Sequence, residues 1–219
     1  MIQGAIFDLD GVILDSLGIW WDLGDRFLRA HDLKGREGLA ETLFSMSMEE
    51  GAGYLKDHYS LALSQKEIVW GLQKMLEDYY LYEVEEKKGA SALLSFLKKK
   101  QIPMVAATSS PRLHVEGALQ RLKLLSYFER IYTTEELVTS KHSPKIYLTA
   151  AEFLKRSPKE TLVFEDSLYA LKTAKEAGFP VIGVFDAQGE PDQRSLRSQA
   201  DLYLEDLGEA VKCLSKYDL

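Results

Sequence analysis

The chain has 219 residues and carries 34 acidic against 27 basic side chains, a formal charge of −7. Apolar residues make up 46% of it, enough for a buried core, which excludes a disordered chain. The acidic balance, with no basic block beyond residues 98–100, argues against nucleic acid or a membrane surface as a partner. With the single cysteine Cys213, no apolar run of about 20 residues and no signal-type segment, we expect a cytoplasmic protein.

The first predicted element is a short buried strand. Residues 5–7 form an apolar run that ends in Asp8-Leu9-Asp10-Gly11, which is typical of a strand that meets a turn. From about residue 16 to residue 86 the chain shows only helical periodicity. Two capping boxes predict helix starts within this stretch, at Ser47-x-x-Glu50 and Ser64-x-x-Glu67.

Beyond residue 89, helical and strand patterns alternate. Helices are predicted around 93–97, 115–122, 144–154, 167–177 and 210–214, and strands over 104–107, near Ile131, and over 161–164 and 181–185. Strands separated by helices imply right-handed crossovers and a parallel sheet covered on both faces. We therefore predict a doubly wound α/β core of residues 1–15 and 87–219, with an all-helical cap domain of residues 16–86 inserted after the first strand.

The residues that follow each predicted strand are candidate site residues, because ligands of open parallel sheets bind beyond the carboxyl ends of the strands. Asp8 and Asp10 stand two apart in an extended segment, so their carboxylates can face one site. A divalent cation between them, or a proton on one of them, would relieve their repulsion. Thr108 and Ser109 end another strand ahead of a helix, where hydroxyls and free N–H groups suit an anion.

Charged residues occupy two further places of this kind. Lys141 precedes a helix and could neutralise a negative ligand, while Glu165 and Asp166 end an apolar strand, where acids hold a metal or cap a helix. Taken singly, these features are also explained as a turn, helix caps and a solvated lysine. That interpretation does not predict all four in this order on one parallel sheet, so the combination favours a functional site.

The four segments together resemble the motifs of the haloacid dehalogenase-like (HAD) hydrolase superfamily, in the subgroup of β-phosphoglucomutase and small phosphatases. The matching segments are Phe7-Asp8-Leu9-Asp10-Gly11-Val12-Ile13, Ala106-Ala107-Thr108-Ser109-Ser110, Lys141-His142-Ser143-Pro144-Lys145-Ile146-Tyr147, and Val163-Phe164-Glu165-Asp166-Ser167 with Ala174-Lys175-Glu176-Ala177-Gly178. The resemblance extends over nearly the full chain. It implies a Rossmann-like core with a helical cap inserted after the first strand, in agreement with the predicted order of elements.

The resemblance implies catalytic roles for the two aspartates of the first motif. Asp8 would attack the phosphorus of a phosphate monoester and form an aspartyl-phosphate, which splits one difficult displacement into two easier ones. Asp10 would protonate the leaving oxygen and later take a proton from the incoming nucleophile. Dehalogenases of the superfamily lack this second aspartate, so Asp10 argues against a dehalogenase.

The resemblance also implies the groups that bind phosphate and metal. Phosphate oxygens would be bound by the N–H groups of Leu9 and Ser109, the Thr108 hydroxyl and the Lys141 ammonium. The expected cofactor is Mg²⁺, which prefers oxygen ligands. It would be held by the carboxylates of Asp8 and Asp166 and the backbone carbonyl of Asp10, with Glu165 behind them or as an occasional ligand.

The chain departs from the family pattern at several positions. In the third motif His142 replaces a proline and Lys145 replaces an aspartate, so the rigidity of this loop is expected to differ while the lysine is retained. Trp20 stands where β-phosphoglucomutases have a histidine, and Pro111 stands where their second motif continues with a lysine. These two differences weaken the mutase interpretation.

We therefore expect a Mg²⁺-dependent phosphatase, acting as a monomer on a small phosphorylated metabolite such as a sugar phosphate. One alternative is a β-phosphoglucomutase-like phosphomutase. The other is a non-catalytic phosphate-binding protein, and the pair of Asp8 and Asp10 argues against this second alternative, because binding alone would not need both acids. A phosphonate hydrolase would need a cap lysine that forms an imine, and neither Lys34 nor Lys56 has such a context. Substrate contacts from the cap are expected from Trp20 or Trp21, because their helix directly follows the first motif.

Overall fold

A computed structural model describes residues 1–215 of the chain. The described residues form one sheet from the strands β1 (Gly4–Phe7), β2 (Met104–Thr108), β3 (Arg130–Thr133), β4 (Thr161–Glu165), β5 (Val181–Val184) and β6 (Leu202–Leu204). All neighbouring strands are parallel, in the order β3-β2-β1-β4-β5-β6. The order reverses between β1 and β4, and the crevice at such a reversal is where doubly wound sheets bind their ligands.

The helices of the described residues are short to medium in length. They are α1 (Ile19–Arg29), α2 (Leu39–Phe44), α3 (Met48–His58), α4 (Gln65–Asp78), α5 (Ala90–Lys99), α6 (Arg112–Arg121), α7 (Lys145–Phe153), α8 (Leu168–Glu176), α9 (Gln193–Gln199) and α10 (Ala210–Leu214). None of the helices within residues 1–215 is long and apolar enough to cross a membrane.

The chain divides into two compact units. The sheet unit comprises Met1–Asp15 and the chain from Val84 onward, and it holds all the strands with α5 to α10. The helical unit comprises Ser16–Glu83, with α1 to α4 and a π-helical turn over Tyr79–Glu83. At the boundary, the Asp15 N–H donates to the Glu85 carbonyl oxygen at 2.9 Å, so the outgoing and returning segments of the sheet unit pair with each other.

The core of the sheet unit explains the uniformly apolar first strand. Every residue of β1 is buried, because a strand with a parallel neighbour on each side is covered on both faces. Phe7 stacks on Phe164 of β4 with ring centroids 4.2 Å apart. The two strands that carry the acidic motifs are therefore fixed to each other by backbone pairing and by ring packing.

The helical unit follows from its amphipathic pattern and its caps. Both predicted capping boxes are present, and they start α3 and α4. The apolar stripes of these helices bury Leu55 and Ile68 completely, and Phe27 of α1 is 2% exposed. Helix α4 packs against both α1 and α3, so the unit has a small core of its own.

The α/β architecture predicted from the sequence is confirmed, with differences at the element ends. Thr108 and Glu165 are the last residues of β2 and β4, one residue beyond the predicted ends. Helix α7 begins after Pro144, which is its N-cap, one residue later than the predicted start. Strand β6 and helix α9 were not predicted, because both are short and the apolar surface of β6 is only partly buried.

Candidate active site

The carboxyl ends of β1 and β4 supply the central acids of the site. The Asp8 N–H donates to the Phe164 carbonyl oxygen at 3.0 Å, which extends the strand pairing and holds Asp8 beside the end of β4. Gly11 then turns the chain with φ of +73°, a conformation that favours glycine. Asp8 is 7% exposed, so its carboxylate lies in an almost closed environment.

A buried lysine joins the acids of the two strands. The Lys141 Nζ lies 2.6 Å from Asp8 Oδ1 and 2.8 Å from Glu165 Oε1, and the lysine side chain is 3% exposed. The Tyr147 hydroxyl, on the first turn of α7, donates to the same Glu165 oxygen at 2.7 Å. Lys141 therefore forms ion pairs with both carboxylates and not with Asp8 alone.

Three carboxylates of this cluster suit a metal ion. Oxygen atoms of Asp8, Glu165 and Asp166 all lie within 4.8 Å of one another, and all three residues are buried. Glu165 Oε2 is buried and has no hydrogen-bond partner among residues 1–215. A buried, unpaired carboxylate oxygen beside two further acids is the donor set that a hard divalent cation takes. The residues present thus fit the metal that the sequence motifs imply.

Burial controls the ionisation of the cluster. Burial raises the pKa of Asp8 well above its usual value, and although Lys141 acts in the opposite direction, nearby acids add to the rise. Burial also raises the pKa of Asp166 to about 7, with Glu165 as the next contributor. Burial alone would lower the pKa of Lys141, but Asp8 and Glu165 outweigh it and raise that pKa, so the lysine keeps its charge. An added cation would therefore stabilise the ionised forms of these buried acids.

Asp10 has different neighbours from Asp8. The Ser110 hydroxyl donates to Asp10 Oδ2 at 2.6 Å, and the Thr108 hydroxyl lies 3.4 Å from the same oxygen. Both hydroxyls belong to the end of β2 and the loop that follows it, and Asp10 is only partly buried. The two aspartates of the first motif are thus held by separate groups, one by an ammonium and one by hydroxyls.

The predicted phosphate-binding groups lie at the same edge of the sheet unit. Thr108 is fully buried, and Ser109, the next residue, is exposed. Within residues 1–215, the structure records no hydrogen bond donated by the backbone N–H of Leu9 or Ser109. The structure brings Asp8, Lys141 and both acids of β4 into one cluster, with Asp10 joined to the end of β2 through hydroxyls.

The sequence interpretation assigned no definite role to several side chains around the cluster. Tyr147 is fully buried, and a tyrosine on the buried face of a helix needs a partner for its hydroxyl, which was the available signal. His142, beside Lys141, stacks on Tyr169 of α8 with ring centroids 4.4 Å apart. Asp186 is 5% exposed and pairs with Lys87 Nζ at 2.7 Å.

The two tryptophans singled out for substrate contact lie in α1 of the helical unit. Trp20 is 41% exposed. Trp21 stacks on Phe44 with ring centroids 4.3 Å apart, and its indole Nε1 is buried with no hydrogen-bond partner among the described residues. Stacking against Phe44 was not predicted, because the aromatic spacing on α1 does not reveal contacts with α2.

Comparison with known proteins identifies the family of this site. The sequence profile of a family described as Haloacid dehalogenase-like hydrolase matches residues 5–184, which include all four motifs. The chain belongs to the haloacid dehalogenase-like hydrolase family. The β-phosphoglucomutase and phosphatase subgroup inferred from the motifs is confirmed by relatives of both kinds, and the chain is an enzyme of the phosphoric monoester hydrolase class.

Two curated HAD relatives match most of the chain. The Phosphorylated carbohydrates phosphatase of Thermotoga maritima is 27% identical over 177 residues, 81% of this chain and 82% of the relative. Beta-phosphoglucomutase of Bacillus subtilis is 29% identical over 222 residues, 95% of each chain. Among solved structures, a Thermotoga maritima protein provisionally described as a beta-phosphoglucomutase superposes with a TM-score of 0.88 at 25% identity, over 98% of this chain and 99% of that chain. The Rossmann-like HAD fold is therefore confirmed.

Proposed function

We propose that this protein is a Mg²⁺-dependent phosphatase that hydrolyses a small phosphorylated metabolite, a sugar phosphate or a similar monoester, through an aspartyl-phosphate at Asp8. The observation that carries the proposal is the separation of the two motif-one aspartates. Asp8 lies against a buried ammonium, whereas Asp10 is bonded to the hydroxyl of Ser110. Two carboxylates in different environments suit two roles, a nucleophile and a proton donor.

The nucleophile is Asp8. Its carboxylate must be ionised to attack phosphorus, and the Lys141 ammonium at 2.6 Å favours the ionised form against the effect of burial. Lys141 also offers a positive charge to the oxygens of a bound phosphate, together with the Thr108 hydroxyl and the N–H groups of Leu9 and Ser109. Glu165 holds the lysine in place, and the Tyr147 hydroxyl in turn donates to the Glu165 carboxylate and fixes its position.

Asp10 carries out the proton transfers of the reaction. In the first half it gives a proton to the leaving oxygen as the bond from that oxygen to phosphorus breaks. In the second half it takes a proton from water as water attacks the aspartyl-phosphate and regenerates Asp8. Mg²⁺, held by the carboxylates of Asp8 and Asp166 and the Asp10 carbonyl with Glu165 beside them, would supply positive charge for the phosphate oxygens.

The test is phosphate release from a panel of sugar, nucleotide and other phosphate monoesters, with and without Mg²⁺. We expect Mg²⁺-dependent release by the wild type and only background release by Asp8→Asn, which keeps the side-chain shape but removes the nucleophile. The matched control is Asp32→Asn, because Asp32 is exposed and its φ of +58° is one that asparagine also adopts. Full activity of Asp8→Asn would contradict the proposal.

A phosphomutase is the second candidate, and the match to Bacillus subtilis Beta-phosphoglucomutase favours it. A mutase would return the phosphoryl group to a sugar and would exclude water. We expect hydrolysis to dominate. Isomerisation of a hexose phosphate in the presence of its bisphosphate, with no phosphate released, would support the mutase instead.

We further propose that Trp20 or Trp21 contacts the substrate and that the protein acts as a monomer. In the same panel, Trp20→Ala or Trp21→Ala should raise KM roughly tenfold for the preferred substrate, since an aromatic contact with the substrate is lost. Trp70→Ala is the control, because Trp70 is 68% exposed on α4. Light scattering after size exclusion tests the monomer.

A further inference from the structure

Ser110, the last residue of the second motif segment, carries a hydroxyl to which the motifs assign no role. Ser110 Oγ lies 2.6 Å from Asp10 Oδ2, whereas the Thr108 hydroxyl is 3.4 Å from the same oxygen. The shorter contact is a full hydrogen bond to a carboxylate, and the longer one is weak. Of these two hydroxyls, Ser110 is therefore the one that fixes the direction of the Asp10 side chain.

The backbone around Ser110 fixes the position of its hydroxyl. The Ser110 N–H donates to the Thr108 hydroxyl oxygen at 3.0 Å, which ties the loop to the end of β2. Pro111 follows with φ of −56° and caps α6, so the chain direction after Ser110 is set. Arg112 then donates to the Ile131 carbonyl oxygen of β3 at 2.8 Å, which anchors the first turn of α6.

A hydroxyl suits a carboxyl group that changes its protonation during a reaction. It donates a hydrogen bond to an ionised carboxylate and accepts one from a protonated carboxylic acid. A backbone N–H or an ammonium can do only the first of these. The Ser110 hydroxyl can therefore keep Asp10 in one orientation both before and after Asp10 has given up its proton.

We propose that Ser110 is a positioning residue that orients Asp10 for proton transfer to the leaving oxygen. The inference rests on the proposed phosphatase function. In the step concerned, a bond forms between Asp8 and phosphorus, the bond from phosphorus to the leaving oxygen breaks, and the proton of Asp10 moves to that oxygen. Ser110 exchanges no atom with the substrate and acts only through Asp10.

A positioning role predicts that the loss of kcat/KM in a Ser110 variant depends on the leaving group. General damage to the site would instead lower kcat/KM equally for every ester. Nitrophenolate leaves readily without a proton, whereas a more basic oxygen needs one as its bond to phosphorus breaks. The ratio kcat/KM reports only the steps up to departure of the leaving group, so it isolates this half of the reaction. Loss of the Ser110 hydroxyl should therefore matter most for the most basic leaving groups.

The experiment measures kcat/KM with Mg²⁺ for phenyl phosphates whose leaving groups range from p-nitrophenol to p-methoxyphenol. We expect Ser110→Ala to stay within about twofold of the wild type on p-nitrophenyl phosphate and to lose about tenfold on p-methoxyphenyl phosphate. Ser110→Thr, which keeps the hydroxyl, should restore the wild-type dependence. Asp10→Asn should show the largest loss, and Ser198→Ala, on the exposed face of α9, should match the wild type.

Two results would overturn the inference. One is an equal loss of kcat/KM on every ester in Ser110→Ala. The other is a dependence of kcat/KM on the leaving group in that variant that matches the wild type. If circular dichroism shows that Ser110→Ala is unfolded, Ser110→Cys takes its place, because a thiol keeps the size but is a weak donor. A wild type that releases no phosphate from any ester would instead remove the proposed function.

Discussion

At the residue scale, the buried Glu165 organises the site as much as Asp8 does. One of its oxygens accepts from both Lys141 and Tyr147, and the other has no hydrogen-bond partner within residues 1–215. Removing one partner of a buried charge is costly, since the remaining charge stays out of water. Tyr147 therefore stabilises the fold through a charged acceptor, although it lies outside the acidic motifs.

We predict that Tyr147→Phe lowers the free energy of unfolding by about 2 kcal/mol, since it removes a buried hydrogen bond to a carboxylate while keeping the ring. The matched variant is Tyr127→Phe, whose hydroxyl lies 2.7 Å from the neutral Ser95 hydroxyl and should contribute only about 0.5–1 kcal/mol. Urea unfolding of both variants measures the difference. Equal losses in the two would show that the charge of Glu165 adds nothing.

At the element scale, glycines at two helix ends adopt the same backbone conformation for different reasons. Gly89 at the start of α5 and Gly178 after α8 both have φ of +92°. A Cβ at Gly89 would lie 2.1 Å from the Gly208 backbone nitrogen, whereas the nearest atom to a Cβ at Gly178 is Pro158 Cβ at 3.9 Å. The first site forbids a side chain by close approach, and the second only strains it.

Because Gly89 and Gly178 have the same φ, alanine should suffer the same backbone strain at both positions, and the two variants can be compared directly. Gly178→Ala should cost about 1–2 kcal/mol of stability, the usual penalty for a non-glycine residue with positive φ. Gly89→Ala should cost at least about 2 kcal/mol more, because the backbone of Gly208 must also move. Thermal and urea unfolding of both variants tests this. A smaller loss in Gly89→Ala than in Gly178→Ala would contradict it.

At the scale of the whole molecule, the sheet gathers acids at one edge at a cost in stability. Asp8, Glu165 and Asp166 are buried together, with Lys141 as the cation paired to two of them. Burial of ionised groups favours their protonated forms in the folded state. The stability of the metal-free protein should therefore depend on pH and on added Mg²⁺.

We predict that this stability falls as pH rises. The folded-state pKa of Asp166, about 7, exceeds its ordinary value of 3.8, so between these values the folded chain binds more protons than the unfolded chain and unfolding becomes easier with rising pH. The raised pKa of Asp8 acts in the same direction. In EDTA, Tm should decline through this window, and Asp166→Asn should decline less.

Added Mg²⁺ provides the second half of this test. The proposed binding of Mg²⁺ to the ionised carboxylates of the folded state should raise Tm at the upper end of the window in the wild type. The rise should be smaller in Asp166→Asn and unchanged in the Asp32→Asn control. A Tm that is indifferent to Mg²⁺ in the wild type would argue against a metal site at this cluster.

The sequence alone determined the alternation of strands and helices and the identity of the motif residues. Hydrophobic periodicity, capping boxes and turn residues are local signals, and they placed Asp8, Thr108 and Glu165 at strand ends. They did not reveal β6, because a three-residue strand with a partly exposed surface has no distinct pattern. The start of α7 also differed by a residue, as helix ends depend on cap geometry.

Only the tertiary structure decided which side chains meet. The Ser110 hydroxyl reaches Asp10 across 100 positions of sequence, and the Tyr147 hydroxyl reaches Glu165 across 18. Such contacts depend on the register of β1 against β2 and on the packing of α7, neither of which a local pattern contains. The residue types of the site can therefore be predicted from the sequence. Its hydrogen bonds cannot, because they form only when the parallel strands bring distant segments to one edge of the sheet.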